Sequence, residues 1–339
     1  MYLKTIIQGR LEFGTQKSYE KVTKMFQQRL ETYYKTDVIF KFEDIFRDEE
    51  LSLEIPRFVG QVTEKAFRTT TGLLAYCAQF AVAGSIRAWL INEGGIISFE
   101  TIEPASDNGA VQSFVKGRKL VKVKGRESEA IEALSQAIEK FDRHAQAYER
   151  RAKVNLLMKN YHDALRDYNK CIGIDSTIPT AYYGKAKIYI LREEWEEAIA
   201  NLEESIKKSI ALQTLYWKSR RLKAECHIHR KEWSKAAFDL KLFTNRTFDE
   251  DNPNFFWIRW ATYKYALVLN ELEEMAESLK MVEKALTLPE VLDGVTQAEI
   301  LTLRGIIKQK AGKNNYLGDI KEAASKGDKK AKNLLKTMQ

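Results

Sequence analysis

Two kinds of hydrophobic spacing divide the chain. Over residues 3–13 apolar side chains recur at alternate positions, which predicts a β-strand. Residues 19–33 have helical spacing, and residues 38–42 return to a strand-like run of apolar and aromatic side chains. From residue 127 onward the spacing is helical almost throughout. The sequence therefore predicts a mixed N-terminal region followed by a long helical one.

A hairpin signal supports a sheet in the N-terminal region. Residues 86–91 and 96–102 are apolar runs that flank Asn92-Glu93-Gly94-Gly95, a sequence typical of a tight turn between antiparallel strands. Residues 120–124 are expected to form a final strand whose lysines protect a sheet edge.

The stretch between the run at residues 38–42 and the predicted hairpin is expected to be partly helical. It covers residues 56–83, and three consecutive threonines at 69–71 predict an interruption there, because β-branched side chains are restricted in a helix. We predict a small α+β domain over residues 1–125, and it resembles no family that we recognise.

Residues in the second half of the chain recur at a fixed interval of 34 positions, which indicates a repeat architecture. The matching pairs are Tyr148 and Tyr182, Ala152 and Ala186, Tyr161 and Trp195, Ala164 and Ala198, and Ile172 and Ile206. Each unit is expected to be a pair of antiparallel helices, with alanines where the helices cross. Stacked pairs bury the apolar faces that a single pair leaves exposed.

The spacing within each unit resembles the tetratricopeptide repeat family. The unit at residues 145–178 has an aromatic residue at position four, alanine at positions eight and twenty, and tyrosine at position twenty-four. The unit from Pro179 repeats this pattern. The unit at residues 145–178 departs from the family at two positions. It has alanine at position eight, where glycine is common, and Ser176 near position thirty-two, where proline is common. The resemblance implies a right-handed solenoid of helical hairpins.

Weaker matches extend the array over residues 126–339. A third unit contains Ala224, and a fourth contains Ala266 after an inserted loop at residues 249–253. Residues 301–325 predict a fifth, degenerate hairpin, and residues 329–338 a closing helix. Residues 129–137 match the second helix of a unit whose first helix is missing. We expect about five units and a C-terminal capping helix, so the fold is mainly α with a small α+β domain in front.

The resemblance implies which side chains face the concave surface, since the first helix of each unit lines it. Positions two, five, nine and twelve form one stripe on that helix. The stripe contains cations and aromatic residues, which suit a partner segment with acidic and apolar groups. The expected partner-binding residues are Lys153, Tyr183, Lys187, Lys218, Arg221, Trp260 and Tyr263. We therefore expect a non-enzymatic scaffold that binds a peptide or protein segment.

The alternative is a nucleic-acid-associated factor. The chain has a net charge of +8. A basic run containing Lys116, Arg118 and Lys119 lies at the domain junction, and a second cluster of cations lies in the third repeat. Together these two clusters could follow a phosphate backbone. Against this, the sequence contains no recognised nucleic-acid-binding module, and the charges in the repeats alternate in sign.

Other classes of protein have less support. Glycine-rich phosphate loops and nucleophile elbows are absent, so we expect no enzyme and no cofactor. Cys226-His227-Ile228-His229 is the best metal candidate, but helical spacing turns the two histidines about 200° apart. Three scattered cysteines favour a reducing compartment, and the apolar stretch at residues 72–90 contains polar breaks. We expect a cytoplasmic protein without a membrane span or a metal site.

Overall fold

The computed structural model describes residues 1–32, 34, 37–291 and 293–337. Contacts group the chain into two compact units, Met1–Ile188 and Tyr189–Gln339. The predicted fold class is confirmed, because a small antiparallel sheet domain precedes consecutive helical hairpins. Tyr33 and Met338, which fell within predicted helices, lie outside the described residues.

The first unit begins with a five-stranded antiparallel sheet in the order β2-β3-β1-β4-β5. Its strands are β1 (Tyr2–Glu12), β2 (Phe46–Arg47), β3 (Ser52–Thr63), β4 (Ala83–Asn92) and β5 (Gly95–Ile102). Three helices belong to the same domain: α1 (Gln16–Thr32), α2 (Phe42–Ile45) and α3 (Glu64–Ala78). The predicted β4–β5 hairpin is confirmed, and Glu93 and Gly94 both have positive φ, as a two-residue turn of this hand requires.

The rest of the chain forms helical hairpins. Those that lie wholly in the first unit, or begin in it, are α4 (Gly109–Leu120) with α5 (Glu127–Lys140), α6 (Ala145–Leu157) with α7 (Tyr161–Ile174), and α8 (Pro179–Leu191). The second unit contains α9 (Trp195–Lys208), α10 (Thr214–His229), α11 (Trp233–Thr244), α12 (Ile258–Glu271), α13 (Met275–Thr287), α14 (Gln297–Lys310), α15 (Tyr316–Ser325) and α16 (Lys329–Thr337).

Four local predictions in or beside the N-terminal region are wrong. Residues 38–42 are mostly irregular rather than a strand, and the Ile39 amide donates to the Thr70 side chain (3.0 Å) instead of to a neighbouring strand. Residues 120–124 are the end of α4 and a turn. The unit that includes residues 129–137 does have a first helix, because α4 packs on α5, which contains those residues.

The fourth error concerns the interruption expected at the three threonines, whereas the expectation that residues 56–83 are partly helical is confirmed. These residues begin as strand and then form a helix. Pro56 is tolerated in β3 because it lies at a register shift, where the pairing passes from Ile7–Phe58 to Gly9–Ile55. Helix α3 runs through the three threonines without a break. The Thr71 hydroxyl donates to the Arg68 carbonyl (3.2 Å), so its polar group is satisfied within the helix.

Both faces of the sheet are buried at its central strand, β1. One face carries Leu3, Ile7 and Leu11 of β1 and packs on α1 and α3. The opposite face carries Gln8, Arg10 and Glu12, which are also almost inaccessible to solvent. Such burial of polar side chains requires partners. Arg10 finds its partners within the sheet domain, in Glu12, Glu50 and Glu54, whereas Gln8 and Glu12 have partners beside the first full repeat.

The contacts between this second face and the repeats are polar. Gln8 and Arg87 both donate to the Thr177 carbonyl, at 3.4 and 2.7 Å. The Gly84 amide donates to Oε1 of Gln146 (3.1 Å) in α6. Arg143 donates to Glu12 at 3.3 Å, and Glu12 also accepts from Arg10 at 2.6 Å. The sheet domain and the first full repeat are therefore joined by buried hydrogen bonds and ion pairs.

Helix crossings in the array depend on small side chains. Ala152 and Ala164 are fully buried between α6 and α7. A Cβ atom on Gly184 of α8 would lie 2.2 Å from the ring of Tyr168 in α7. Tyr168 is itself only 2% exposed, so the ring has no space to move away.

We expect Gly184→Ala to destabilise the protein by about 1–3 kcal/mol, because the added methyl group overlaps the Tyr168 ring. The matched control is Gly173→Ala on α7, where a Cβ atom meets nothing within 4 Å. Alanine at this exposed helical position should stabilise by about 0.5–1 kcal/mol. Urea unfolding of both variants checks the result, and equal effects would contradict it.

We expect stability to fall by about 2 kcal/mol between pH 7 and pH 5 because of His144. His144 precedes α6, where its Nδ1 accepts from the Ala147 amide (3.3 Å), and burial lowers its pKa to about 4. The unfolded chain takes up a proton on this side chain near pH 6.5, so acid favours unfolding. His144→Asn keeps an acceptor at the cap and should lose this part of the pH dependence in urea unfolding. Identical pH profiles would refute the assignment.

Candidate partner-binding surfaces

In the first full repeat the sheet covers part of the expected concave stripe. Gln146 bonds to β4, and Glu149 at position five is only 5% exposed. Lys153, one turn further along α6, is exposed. The first repeat therefore offers a partner only the C-terminal part of its stripe.

The second repeat contributes Tyr183 and Lys187 from α8. Lys187 is exposed and Tyr183 is half-buried. Both are compatible with contact to a partner, and their role stays a prediction.

In the second unit, four predicted residues lie on α10 and α12. Arg221 stacks its guanidinium on the ring of Trp257, 3.7 Å from the ring centroid, and lies 5.3 Å from that of Trp260. Arg221 and Trp260 are 8% and 6% exposed, so little of either side chain is accessible to a partner. Lys218 and Tyr263 are half-buried.

An open groove of about 480 Å³ lies between α12 and α14 in the second unit. Three of its lining residues, Tyr263, Leu267 and Asn270, occupy positions five, nine and twelve of the fourth repeat. The other lining residues come from α11, the end of α12, α14 and the chain near α16: Trp233, Glu271, Glu299, Thr302, Leu303, Ile306, Lys310, Asp328 and Lys330.

The carboxylates of this groove already have partners within the protein. Glu299 bonds to the Thr296 amide and hydroxyl in a capping box at the start of α14. Asp328 accepts from the Ala331 amide (2.6 Å) at the start of α16, and Glu271 accepts from Asn270 (3.1 Å). Neither Lys310 nor Lys330 forms an ion pair with any other described residue.

Burial keeps the groove tyrosine protonated. It raises the pKa of Tyr263 to about 12, and the nearby Glu299 and Asp328 carboxylates act in the same direction. At neutral pH this side chain therefore presents an uncharged ring and a hydroxyl donor. Together with Leu267, Leu303 and Ile306 it gives the groove an apolar floor.

Most cations of the third repeat are engaged in ion pairs. Arg220 and Lys223 both contact Asp239, the latter at 3.2 Å. Arg230 contacts Glu196 and Glu232, and Lys235 contacts Glu232 at 3.4 Å. These pairs leave less positive charge for a phosphate backbone than the sequence alone indicates.

The side chains of the possible metal sequence have separate surroundings. Cys226 is buried, and burial raises the pKa of its thiol to about 12. His227 bonds to Glu232 (2.6 Å), whereas His229 stacks on Trp195 with ring centroids 4.3 Å apart. Within the part of the chain that the structure describes, no group of three or more His, Cys, Asp or Glu side chains has a metal-site arrangement.

Sequence reasoning missed a recurring ion pair inside the hairpins. A buried aspartate on the second helix meets an arginine on the first helix, as in Arg151–Asp167 (2.7 Å) and Arg304–Asp319 (2.5 Å). The spacing of fifteen or sixteen residues between partners was the available signal. These pairs are structural and reduce the number of charges that face a partner.

Comparison with known proteins agrees with this fold. Residues 145–178 match the tetratricopeptide repeat family model. A stretch of 74 residues is 38% identical to the Protein SGT1 homolog of Oryza sativa subsp. japonica, and it covers 22% of this chain and only 20% of that protein. The chain thus spans about a fifth of that curated relative.

Two solved structures resemble the array. YrrB, described as a TPR protein with an unusual peptide-binding site, has a TM-score of 0.52 at 18% identity, over 61% of this chain and 99% of YrrB. PilF of Pseudomonas aeruginosa has a TM-score of 0.50 at 16% identity, over 68% of this chain and 98% of PilF. The chain therefore carries a tetratricopeptide repeat within an array that has the fold of tetratricopeptide proteins. None of the helices in the described ranges is long and apolar enough to cross a membrane.

We expect Arg221→Glu to destabilise the second unit, because it replaces a cation stacked on Trp257 by a buried anion. The loss should be about 2–4 kcal/mol. Lys187→Glu, at an exposed position, should change stability by less than about 0.5 kcal/mol. Thermal unfolding of both variants tests this contrast, and an unchanged midpoint for Arg221→Glu would contradict it.

Proposed function

We propose that this chain is a non-enzymatic scaffold that holds a segment of a partner protein in the groove between α12 and α14. The observation that carries the proposal is the groove itself, an open cavity of about 480 Å³ at the positions where the repeat pattern places the concave face. Its apolar floor suits the side chains of a partner segment. Binding of this kind requires neither a cofactor nor a catalytic group. We propose that the protein acts in the cytoplasm.

Several features of the second unit support this function. Leu267, Ile306 and Tyr263 line the groove without being fully buried, so apolar surface remains for a partner. Apolar contacts of this type contribute about 25 cal/mol per Å² of surface removed from water. The surrounding polar groups supply orientation, as in other ligand-binding clefts. Lys153, Tyr183 and Lys187 are proposed as further contacts from the first unit.

The nucleic-acid alternative has weaker support. The third-repeat cations are largely paired with carboxylates, and Arg118 in the junction pairs with Glu103 at 2.5 Å. The sheet domain is proposed to supply a second contact or to anchor the assembly. Since the repeat side of its sheet is partly covered by α6 and the loop at Thr177, contacts there are already used.

We expect Ile306→Asp to weaken partner binding by roughly tenfold or more, because the new carboxylate must be desolvated in an apolar groove. The measurement is recovery of partners from native lysate, with nuclease present and absent. The matched control is Phe238→Asp on α11, which changes an aromatic side chain that is 60% exposed and does not line the groove.

Both variants must first show the same thermal midpoint as the unchanged protein. Loss of a nuclease-resistant partner with Ile306→Asp alone supports the groove. Equal loss with both variants, or recovery that depends on nucleic acid, would contradict the proposed function.

A further inference from the structure

One of two strongly basic segments of this chain lies at residues 308–336, and the other is the junction run at residues 116–126, which also has a net charge of +6. Residues 308–336 contain nine lysines and three carboxylates, a net charge of +6, whereas the whole chain has a net charge of +8. This segment is the end of α14, the α14–α15 loop, α15 and most of α16. It contains no arginine or histidine.

The three carboxylates of this segment are occupied internally. Asp319 contacts Arg304 (2.5 Å) and Lys308 (2.8 Å), Glu322 contacts Lys326 (3.6 Å), and Asp328 caps α16. Seven exposed lysines have no ion pair with any other residue in the described ranges. We call them the lysine face: Lys310, Lys313, Lys321, Lys329, Lys330, Lys332 and Lys336.

Packing of α16 fixes this distribution. Ala331 is fully buried, and Leu334 and Leu335 pack against the cluster that contains Leu301 and Ile320. The apolar side of the helix is therefore used within the protein, and its lysines remain on the solvent side. A helix that enters a bilayer surface needs a free apolar side, so an anionic membrane is a poor fit.

The composition of the lysine face also favours protein over nucleic acid. Recognition of nucleic acid commonly adds arginine contacts and aromatic stacking to phosphate contacts. The lysine face contains no arginine, and Tyr316 is the one aromatic residue in this segment. Lysine ammonium groups on flexible stems suit carboxylates at varied positions, as in an acidic stretch of chain.

Two members of the lysine face also line the groove. Lys310 lies at the end of α14 and Lys330 near the start of α16, and both border the cavity. A segment bound in the groove therefore meets the lysine face as it leaves. The lysine face is therefore continuous with the rim of the groove at these two residues.

From this continuity we infer that the lysine face binds an acidic stretch adjoining the apolar stretch that the groove holds. The inference rests on the proposed function of the groove and specifies the partner: an extended protein segment with apolar residues followed or preceded by several Asp or Glu residues. Each exposed ion pair is weak, so the acidic stretch must meet several of these lysines, beginning with Lys310 and Lys330 at the groove. The binding is expected to weaken as salt shortens the range of these interactions, which is about 10 Å at 0.1 M.

Three fluorescent probes test this inference by anisotropy with the full chain. The first is a synthetic peptide with a leucine-rich block and an acidic block. The second replaces each Asp and Glu of that peptide by Asn and Gln, and the third is a single-stranded oligonucleotide with the same net charge as the first. We expect the acidic peptide to bind roughly tenfold more tightly than its neutral counterpart at low salt.

The decisive variant is Lys329→Glu, Lys332→Glu and Lys336→Glu together, three exposed lysines of α16 that do not line the groove. It should remove roughly tenfold or more of the affinity for the acidic peptide and leave that for the neutral peptide unchanged. The control reverses Lys116, Lys119 and Lys122, which are exposed and carry the same total charge in the junction run. This control should bind the acidic peptide as the unchanged protein does.

Three results would overturn the inference: equal affinity for the acidic and neutral peptides, equal loss with the two triple variants, or tighter binding of the oligonucleotide. Neutral-peptide binding that is lost with Ile306→Asp would show that the groove still functions in any of these cases. If neither peptide binds at all, both the inference and the proposed function fail.

Discussion

Burial of a polar sheet face against helices is the constraint on which the first unit depends. Gln8, Arg10 and Glu12 lie on a strand whose two sides are both shielded from water. Charged groups in such a place are tolerated only with hydrogen-bonding partners. Glu50 and Glu54 of the sheet domain provide partners for Arg10, whereas Arg143 and the Thr177 carbonyl, beside the first full repeat, provide them for Glu12 and Gln8. The polar contacts that this strand requires therefore help to hold the first full repeat against it. The cost is that part of the inner surface of that repeat is closed to other ligands.

The helical array was predictable because its determinants are local and periodic. Ala152 and Ala164 mark a crossing that only small side chains allow, and the same crossing returns 34 residues later. The N-terminal region was less predictable because tertiary contacts override its local preferences. The apolar run at residues 38–42 contributes Phe40 to the core from an irregular backbone. The threonines of α3 stay helical because their hydroxyls find partners that the sequence does not reveal.

The candidate surface was predictable in part. Position counting identified Tyr263, and the structure places it in a groove with two other residues of the same stripe. Counting does not show that Arg221 and Trp260 are buried, since Arg221 stacks on Trp257, which lies outside the helical repeat pattern. Position counting also omitted Lys310 and Lys330, because repeat positions could not be assigned in the fifth hairpin and the closing helix. The internal Arg–Asp pairs were missed because their partners lie on different helices.

The sheet contacts of the first repeat have a consequence for how this protein can change over time. Strand residues 84–87 and the inner positions of α6 contact each other directly, and Thr177 receives bonds from two strands. A substitution on either side alters the fit of the other, so we expect the two segments to change together during evolution. The first full repeat is therefore a poor place for the exchange, duplication or loss of a repeat, and for the origin of a new binding specificity.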